Sequence, residues 1–171
     1  MHPSHFLAGL VMVAAIAPLT AQAALVERHE THAAVEVCQA SMPIHDGKIR
    51  KRPRAIQNEG TTTAFVTCGL EGRGGFRATA PNAKTIIVKL INEGSPSTPT
   101  VNCTAIDVMN DSITATSSRL VPPHAPQAIE FASTQINPAT GWWLIPAVSC
   151  ALPPGIGISM IAYGFVEDNG V

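Results

Sequence analysis

The stretch Lys84-Thr85-Ile86-Ile87-Val88-Lys89-Leu90-Ile91-Asn92 decides the fold class. Ile86, Val88 and Leu90 recur with period two on one face, while Thr85, Ile87, Lys89 and Ile91 make the other, more mixed face. That is the repeat of a strand lying on a core, not of a helix. Working outward, the same alternation returns in short segments separated by turn residues. Thr61 to Leu70 is β-branched and aromatic and precedes the flexible Gly72-Arg73-Gly74-Gly75 loop. Ala33 to Ala40 predicts a first strand, with turns at His45-Asp46-Gly47 and Asn58-Glu59-Gly60. On the other side, Thr100 to Met109 places Val101, Cys103 and Ala105 on one face and Asn102 and Thr104 on the other. Ile113 to Leu120 and Gln127 to Thr134 are weaker strands around the proline-rich Val121 to Pro126. Trp142 to Leu152 and Ile156 to Glu167 close the chain. The expectation is an all-β fold, a two-sheet antiparallel β-sandwich of about eight or nine strands, with a β-barrel as the alternative.

The four cysteines, Cys38, Cys68, Cys103 and Cys150, lack CxxC spacing, so zinc ribbons and thioredoxin-like sites are unsupported. An even number suits two disulfides in an oxidising compartment, and three connectivities are open. Phase favours one of them. Cys103 shares a face with Val101 and Ala105, and Cys150 with Val148 and Leu152, so a buried Cys103–Cys150 bridge is expected. Cys38–Cys68 is the remainder.

The first residues read as an export signal. Phe6 to Pro18 is almost wholly apolar yet too short to span a bilayer, and Ala21-Gln22-Ala23 matches a small-residue cleavage site. Residues 1–23 are expected to be removed and 24–32 to form a flexible tail. Residues 33–171 would then make a single domain, with the mature chain at about 148 residues. The expected location is secreted or periplasmic. Trp142 to Val166 carries no charge, but Pro146, Pro153, Pro154, Gly155 and Gly157 argue for two strands joined by a turn instead of a membrane helix. A net charge of -1, with only 13 % charged residues, provides no global attraction to nucleic acid or anionic lipid.

Candidate chemistry is sparse. His29-Glu30-Thr31-His32 has its histidines three apart, where a zincin helix needs four, and falls in the expected tail. Lys48, Arg50, Lys51, Arg52 and Arg54 form a basic cluster that could meet an acidic glycan or partner. The competing interpretation is an edge strand protected by charge and by Pro53. Trp142 and Trp143 point to opposite faces of a strand, one into the core and one available for glycan or protein contact, with Tyr163 able to join that face. Gly157-Ile158-Ser159-Met160-Ile161 lacks the last glycine of a nucleophile elbow, and the Gly72–Gly75 loop lacks the ending of a phosphate loop. His45 and His124 have no identifiable catalytic partner, and a carboxylate site from Asp107, Asp111 and Glu130 is unconstrained. No catalytic residue, metal site or cofactor is assigned.

The segments Thr67-Cys68-Gly69-Leu70, Val101-Asn102-Cys103-Thr104 and Ser149-Cys150-Ala151-Leu152-Pro153-Pro154, followed by Ile161-Ala162-Tyr163-Gly164-Phe165-Val166-Glu167-Asp168, resemble small secreted proteins of Gram-negative bacteria. Those proteins are functionally uncharacterised, disulfide-containing β-sandwiches. Gly69 stands where that pattern has Pro. The resemblance covers most of the mature chain and implies export and a β fold, without an activity or site residues. The expected function is therefore an exported, non-enzymatic β-sandwich with a binding or structural role. The alternatives are an adhesin-like or glycan-binding module, and a secreted enzyme inhibitor, with Val121 to Pro126 as its protruding loop, or small hydrolase. The expected partner is a cell-surface glycan or another envelope protein.

Overall fold

In a computed structural model of the chain, residues 25–70, 83–108, 110–132 and 145–168 are described. They contain eleven strands: β1 (Leu25–Ala33), β2 (Cys38–Ala40), β3 (Ile49–Arg52), β4 (Ala55–Asn58), β5 (Ala64–Gly69), β6 (Ala83–Asn92), β7 (Thr100–Asp107), β8 (Asn110–Leu120), β9 (Gln127–Ala132), β10 (Pro146–Leu152) and β11 (Ile156–Asp168). A six-stranded sheet runs β3-β4-β11-β6-β9, with β1 also paired to β11, and a five-stranded sheet runs β2-β5-β10-β7-β8. Every pairing is antiparallel. No strand belongs to both sheets, so the fold is the sandwich and not the barrel.

Alternation explains the core. Ile86, Val88 and Leu90 of β6 are fully buried, as the decisive stretch predicts, and Lys89 is exposed. Across the sandwich, Val66 and Cys68 of β5, Val101 and Cys103 of β7, and Val148, Cys150 and Leu152 of β10 face them. In β11 the apolar phase slips by one residue: Ile156 and Ile158 are buried, then Ile161, Tyr163 and Phe165. A bulge between Ile158 and Met160, opposite Leu90 and Lys89, absorbs the slip and keeps one face turned inward.

Both expected disulfides are present, Cys38–Cys68 and Cys103–Cys150. Each joins residues directly opposite on neighbouring strands, β2 to β5 and β7 to β10, beneath the five-stranded sheet. They tie strands within one sheet and leave the two sheets to be joined by packing and by polar contacts.

Two buried asparagines supply such contacts. Asn58, at the end of β4, donates to Leu152 O at 2.7 Å and Thr62 O at 2.9 Å, and accepts from Gly60 N at 3.0 Å. Asn92, at the end of β6, donates to Val121 O at 3.0 Å and Ser97 O at 2.9 Å. Each fastens a strand end of the six-stranded sheet to chain leaving the five-stranded one. Nearby, Pro153 to Gly155 links β10 to β11. Gly155 has φ +79°, and a Cβ there would lie 2.4 Å from Ser95 N, so only glycine fits.

Two expectations change. The segment read as a tail is strand β1, paired to β11 from Leu25–Asp168 to Ala33–Met160. The single strand expected over Ala33 to Ala40 is broken, because β1 and β2 lie in different sheets. Sheets pack about 10 Å apart, so the chain must turn to cross. It does so through the one-turn helix α1 (Ala34–Val37), with Ala34 fully buried. Of the uncharged run Trp142 to Val166, the described part folds as β10, a turn and β11. No helix among the described residues is long and apolar enough to cross a membrane.

Candidate functional site on the outer face of the five-stranded sheet

Pairing register lays out the outer face of the five-stranded sheet row by row. In the central row Gln39 lies opposite Thr67, Thr67 opposite Ser149, Ser149 opposite Thr104, and Thr104 opposite Thr116. One flanking row runs Phe65, Ala151, Asn102, Ser118. The other runs Gly69, Ala147, Ile106, Thr114. None of these side chains is charged.

The central strand β10 contributes only Ala147, Ser149 and Ala151, all half-buried. Larger residues flank it, Phe65 and Thr67 on β5 and Asn102, Thr104 and Ile106 on β7. Short side chains between taller ones make a trough along β10. Hydroxyl pairs stiffen its walls, Ser41 Oγ with Thr67 Oγ1 at 2.6 Å and Thr104 Oγ1 with Thr116 Oγ1 at 3.2 Å. At one end Phe65 is 43 % exposed despite its size. The buried ring of His45 packs against it, with centroids 5.7 Å apart, and neither nitrogen of His45 has a hydrogen-bond partner. Met42 and Ile44, 46 % and 73 % exposed, stand beside His45 in the same segment. The arrangement offers an aromatic ledge followed by uncharged donors and acceptors on a rigid sheet.

The basic cluster takes a different place. Lys48, Arg50, Lys51, Arg52 and Arg54 lie on the β3–β4 hairpin at the edge of the other sheet. Lys48 Nζ donates to Thr62 Oγ1, Arg50 to Asp46 O, and Lys51 Nζ to Val35 O. Arg52 makes a two-pronged pair with Glu59 at 2.6 and 2.7 Å, and Arg54 pairs with Glu93 at 2.6 Å. The Arg52 hydrogen bond holds the Glu59 carboxyl below its ordinary value, and Glu59 raises Arg52 in return. All five cations therefore have partners inside the chain.

The other sequence candidates are dispersed. Trp142 and Trp143 lie outside the described residues. Tyr163 turns inward instead of joining an outer aromatic face. Its hydroxyl donates to Glu30, and His32 stacks on its ring at 5.8 Å. Strand alternation sends His29 to the outer face, over Gly164, and His32 inward, so the two cannot share an ion. Glu130 faces outward on β9, while buried Asp107 accepts from Ile145 N at 3.1 Å on the other sheet, so these carboxylates do not converge. Ser159 occupies the β11 bulge and donates to Lys89 O. The Val121 to Pro126 segment does not protrude freely at its start: Val121 is fully buried and donates to Pro99 O. His124 is exposed, with φ 57°, and its backbone N–H donates to Asn92 O.

No protein-family model matches the sequence, and no curated protein does. Among solved structures, the chain is similar to TmCBM61, solved in complex with β-1,4-galactotriose. The identity is 8 %, with 82 % of this chain and 84 % of that one covered and a TM-score of 0.38. A structure described under CBM4 structure and function is 12 % identical over 82 % of this chain and 86 % of that one, with a TM-score of 0.32. An oxalate decarboxylase formate complex from Lactobacillus farciminis is 12 % identical, with 79 % of this chain and 34 % of that chain covered and a TM-score of 0.22. Likenesses this distant carry no functional assignment.

Phe65 and the outward row were not singled out from sequence, although Asn102 and Thr104 were placed on the polar side of their strand. The available signal was the repeated Thr, Ser and Asn at outward positions of β7, β8 and β10, but it becomes a surface only once strand order is known.

Proposed function

We propose that this chain is an exported, non-enzymatic binding module whose trough on the five-stranded sheet holds an uncharged glycan. The observation that carries this is an outer face spanning five strands that carries no charge among the described residues of its outward rows, with Phe65 exposed at its margin. A face without charge has no electrostatic means of selecting ions or nucleic acid. Hydroxyl and amide side chains match the donors and acceptors of a polyhydroxylated chain. The apolar C–H face of a sugar ring finds its counterpart in an accessible aromatic ring. Two disulfides suit an oxidising compartment, in keeping with removal of residues 1–23 on export.

The test is affinity electrophoresis of the full exported chain through gels containing dextran, galactan, xyloglucan or soluble starch. Retardation by at least one neutral polysaccharide is expected, with loss of retardation in Phe65→Ala and Asn102→Ala at unchanged unfolding midpoints. Free migration in all four gels would count against the proposal. N-terminal sequencing of the exported protein should begin at Ala24.

A further inference from the structure

Two strands from the trough, β8 forms the edge of the same sheet, and there the chemistry changes. The five strands of that sheet contain one cation, Arg119. Arg119 lies opposite buried Val101, on the inward phase of β8, and at this open edge of the sandwich its Nε donates to Gln127 Oε1 on β9, in the other sheet, at 3.1 Å. That bond holds the guanidinium by its Nε–H. Its two terminal amino groups have no partner among the described residues.

Arg119 and Gln127 line a broad groove together with Thr98, Thr100, Ser118, Leu120 and Pro122. Thr100 lies opposite Leu120 at the end of the β7–β8 pairing, and Ser118 belongs to the row that begins at Phe65. The groove therefore borders the outer face of the same sheet at its β8 edge. It adds hydroxyls on one side and an apolar floor at Leu120, which is 58 % exposed.

We infer that this groove binds a carboxylate-bearing sugar, a uronic acid, with Arg119 as the specificity-determining residue. A guanidinium oriented through Nε presents its remaining N–H groups as a planar fork, the geometry that takes both oxygens of a carboxylate. The hydroxyls of Thr98, Thr100 and Ser118 meet those of the sugar ring, and Leu120 and Pro122 meet its C–H face. A single cation matches a single acidic substituent, unlike the charge runs that hold polyanions. The inference rests on the glycan-binding proposal in one respect only, that the ligands of this sheet are glycans.

The experiment titrates the isotope-labelled full chain with galacturonic acid, its methyl ester and sodium sulfate at matched ionic strength. NMR follows the Arg119 Nε–H and Gln127 side-chain amide signals. The acid should shift both, with a dissociation constant at least tenfold below that of the ester. Arg119→Gln should abolish the response, and Lys89→Gln, on the outer face of the other sheet, should leave it intact. No shift, equal responses to acid and ester, or a sulfate response matching that of the acid would overturn the assignment. Ser149→Asp, which blocks the trough, separates the two proposals. In that variant, uronate binding that survives the loss of neutral-polysaccharide retention upholds both proposals, whereas uronate binding by a wild type that no neutral polysaccharide retards upholds the groove and removes the trough. Neutral binding without a uronate response removes the groove alone.

Discussion

The outer face of the six-stranded sheet carries Lys89, Glu130, Glu27 and His29, whereas that of the five-stranded sheet carries hydroxyls, amides and small side chains. Their undersides differ as well. The five-stranded sheet has both disulfides, which covalently pair β2 with β5 and β7 with β10. The six-stranded sheet has none, and depends on apolar packing and on asparagine contacts at strand ends. One sheet is thus solvated by charge and held by its core, and the other is stapled and has no charge in its described outward rows. A stapled, charge-free sheet is suited to recognition, since a surface already rigid loses little freedom when a ligand settles on it.

The largest effect expected from this difference comes from removing a staple. Cys103→Ala/Cys150→Ala opens a cross-link spanning 47 residues, which in the chain-entropy model stabilises by about 4 kcal/mol. Cys38→Ala/Cys68→Ala, spanning 30 residues, should cost slightly less. Urea unfolding of each variant measures this. Losses below about 1 kcal/mol would mean that the five-stranded sheet does not owe its rigidity to the bridges.

Next in size is the junction between the sheets. Asn58→Ala removes two donated bonds and one accepted bond, leaving the buried Leu152 carbonyl without that donor. It should destabilise by about 2–3 kcal/mol. The same unfolding experiment reads it, and Asn58→Asp, which keeps the shape but lacks the donors, should fall at least as far.

The smallest effect belongs to the charged edge. Because Arg52 holds Glu59 below its ordinary value, the pair stabilises the hairpin above the ordinary carboxylate range. That contribution fades as pH falls through the lowered Glu59 value. Any difference in unfolding midpoint between the wild type and Glu59→Gln should be present at neutral pH and vanish in acid. The pair is exposed, so the difference is small. A gap that widens in acid would contradict the pairing.

Much of this fold is legible in the sequence because period-two alternation is a local property. Ile86, Val88 and Leu90 are inward by their own pattern, and the same phase brings Cys103 to Cys150. Strand β1 escaped notice because Glu27 to His32 is polar throughout. Its pairing comes from the C-terminal half of β11, more than a hundred residues away in sequence. The trough escaped for a related reason. Thr67, Ser149, Thr104 and Thr116 are unremarkable one at a time, and they adjoin only because β10 inserts between β5 and β7. The basic cluster, conspicuous as a run, loses its prominence once Glu59, Glu93 and backbone carbonyls answer it.

The most direct measurement sets the two faces against each other. A carboxylate is placed in the middle of the trough by Ser149→Asp and on the outer face of the other sheet by Ala128→Asp, and retention by the neutral polysaccharide that best retards the wild type is compared. Binding at least tenfold weaker in Ser149→Asp and unchanged in Ala128→Asp is the predicted result. Equal binding by both variants, or loss confined to Ala128→Asp, would contradict a trough on the five-stranded sheet.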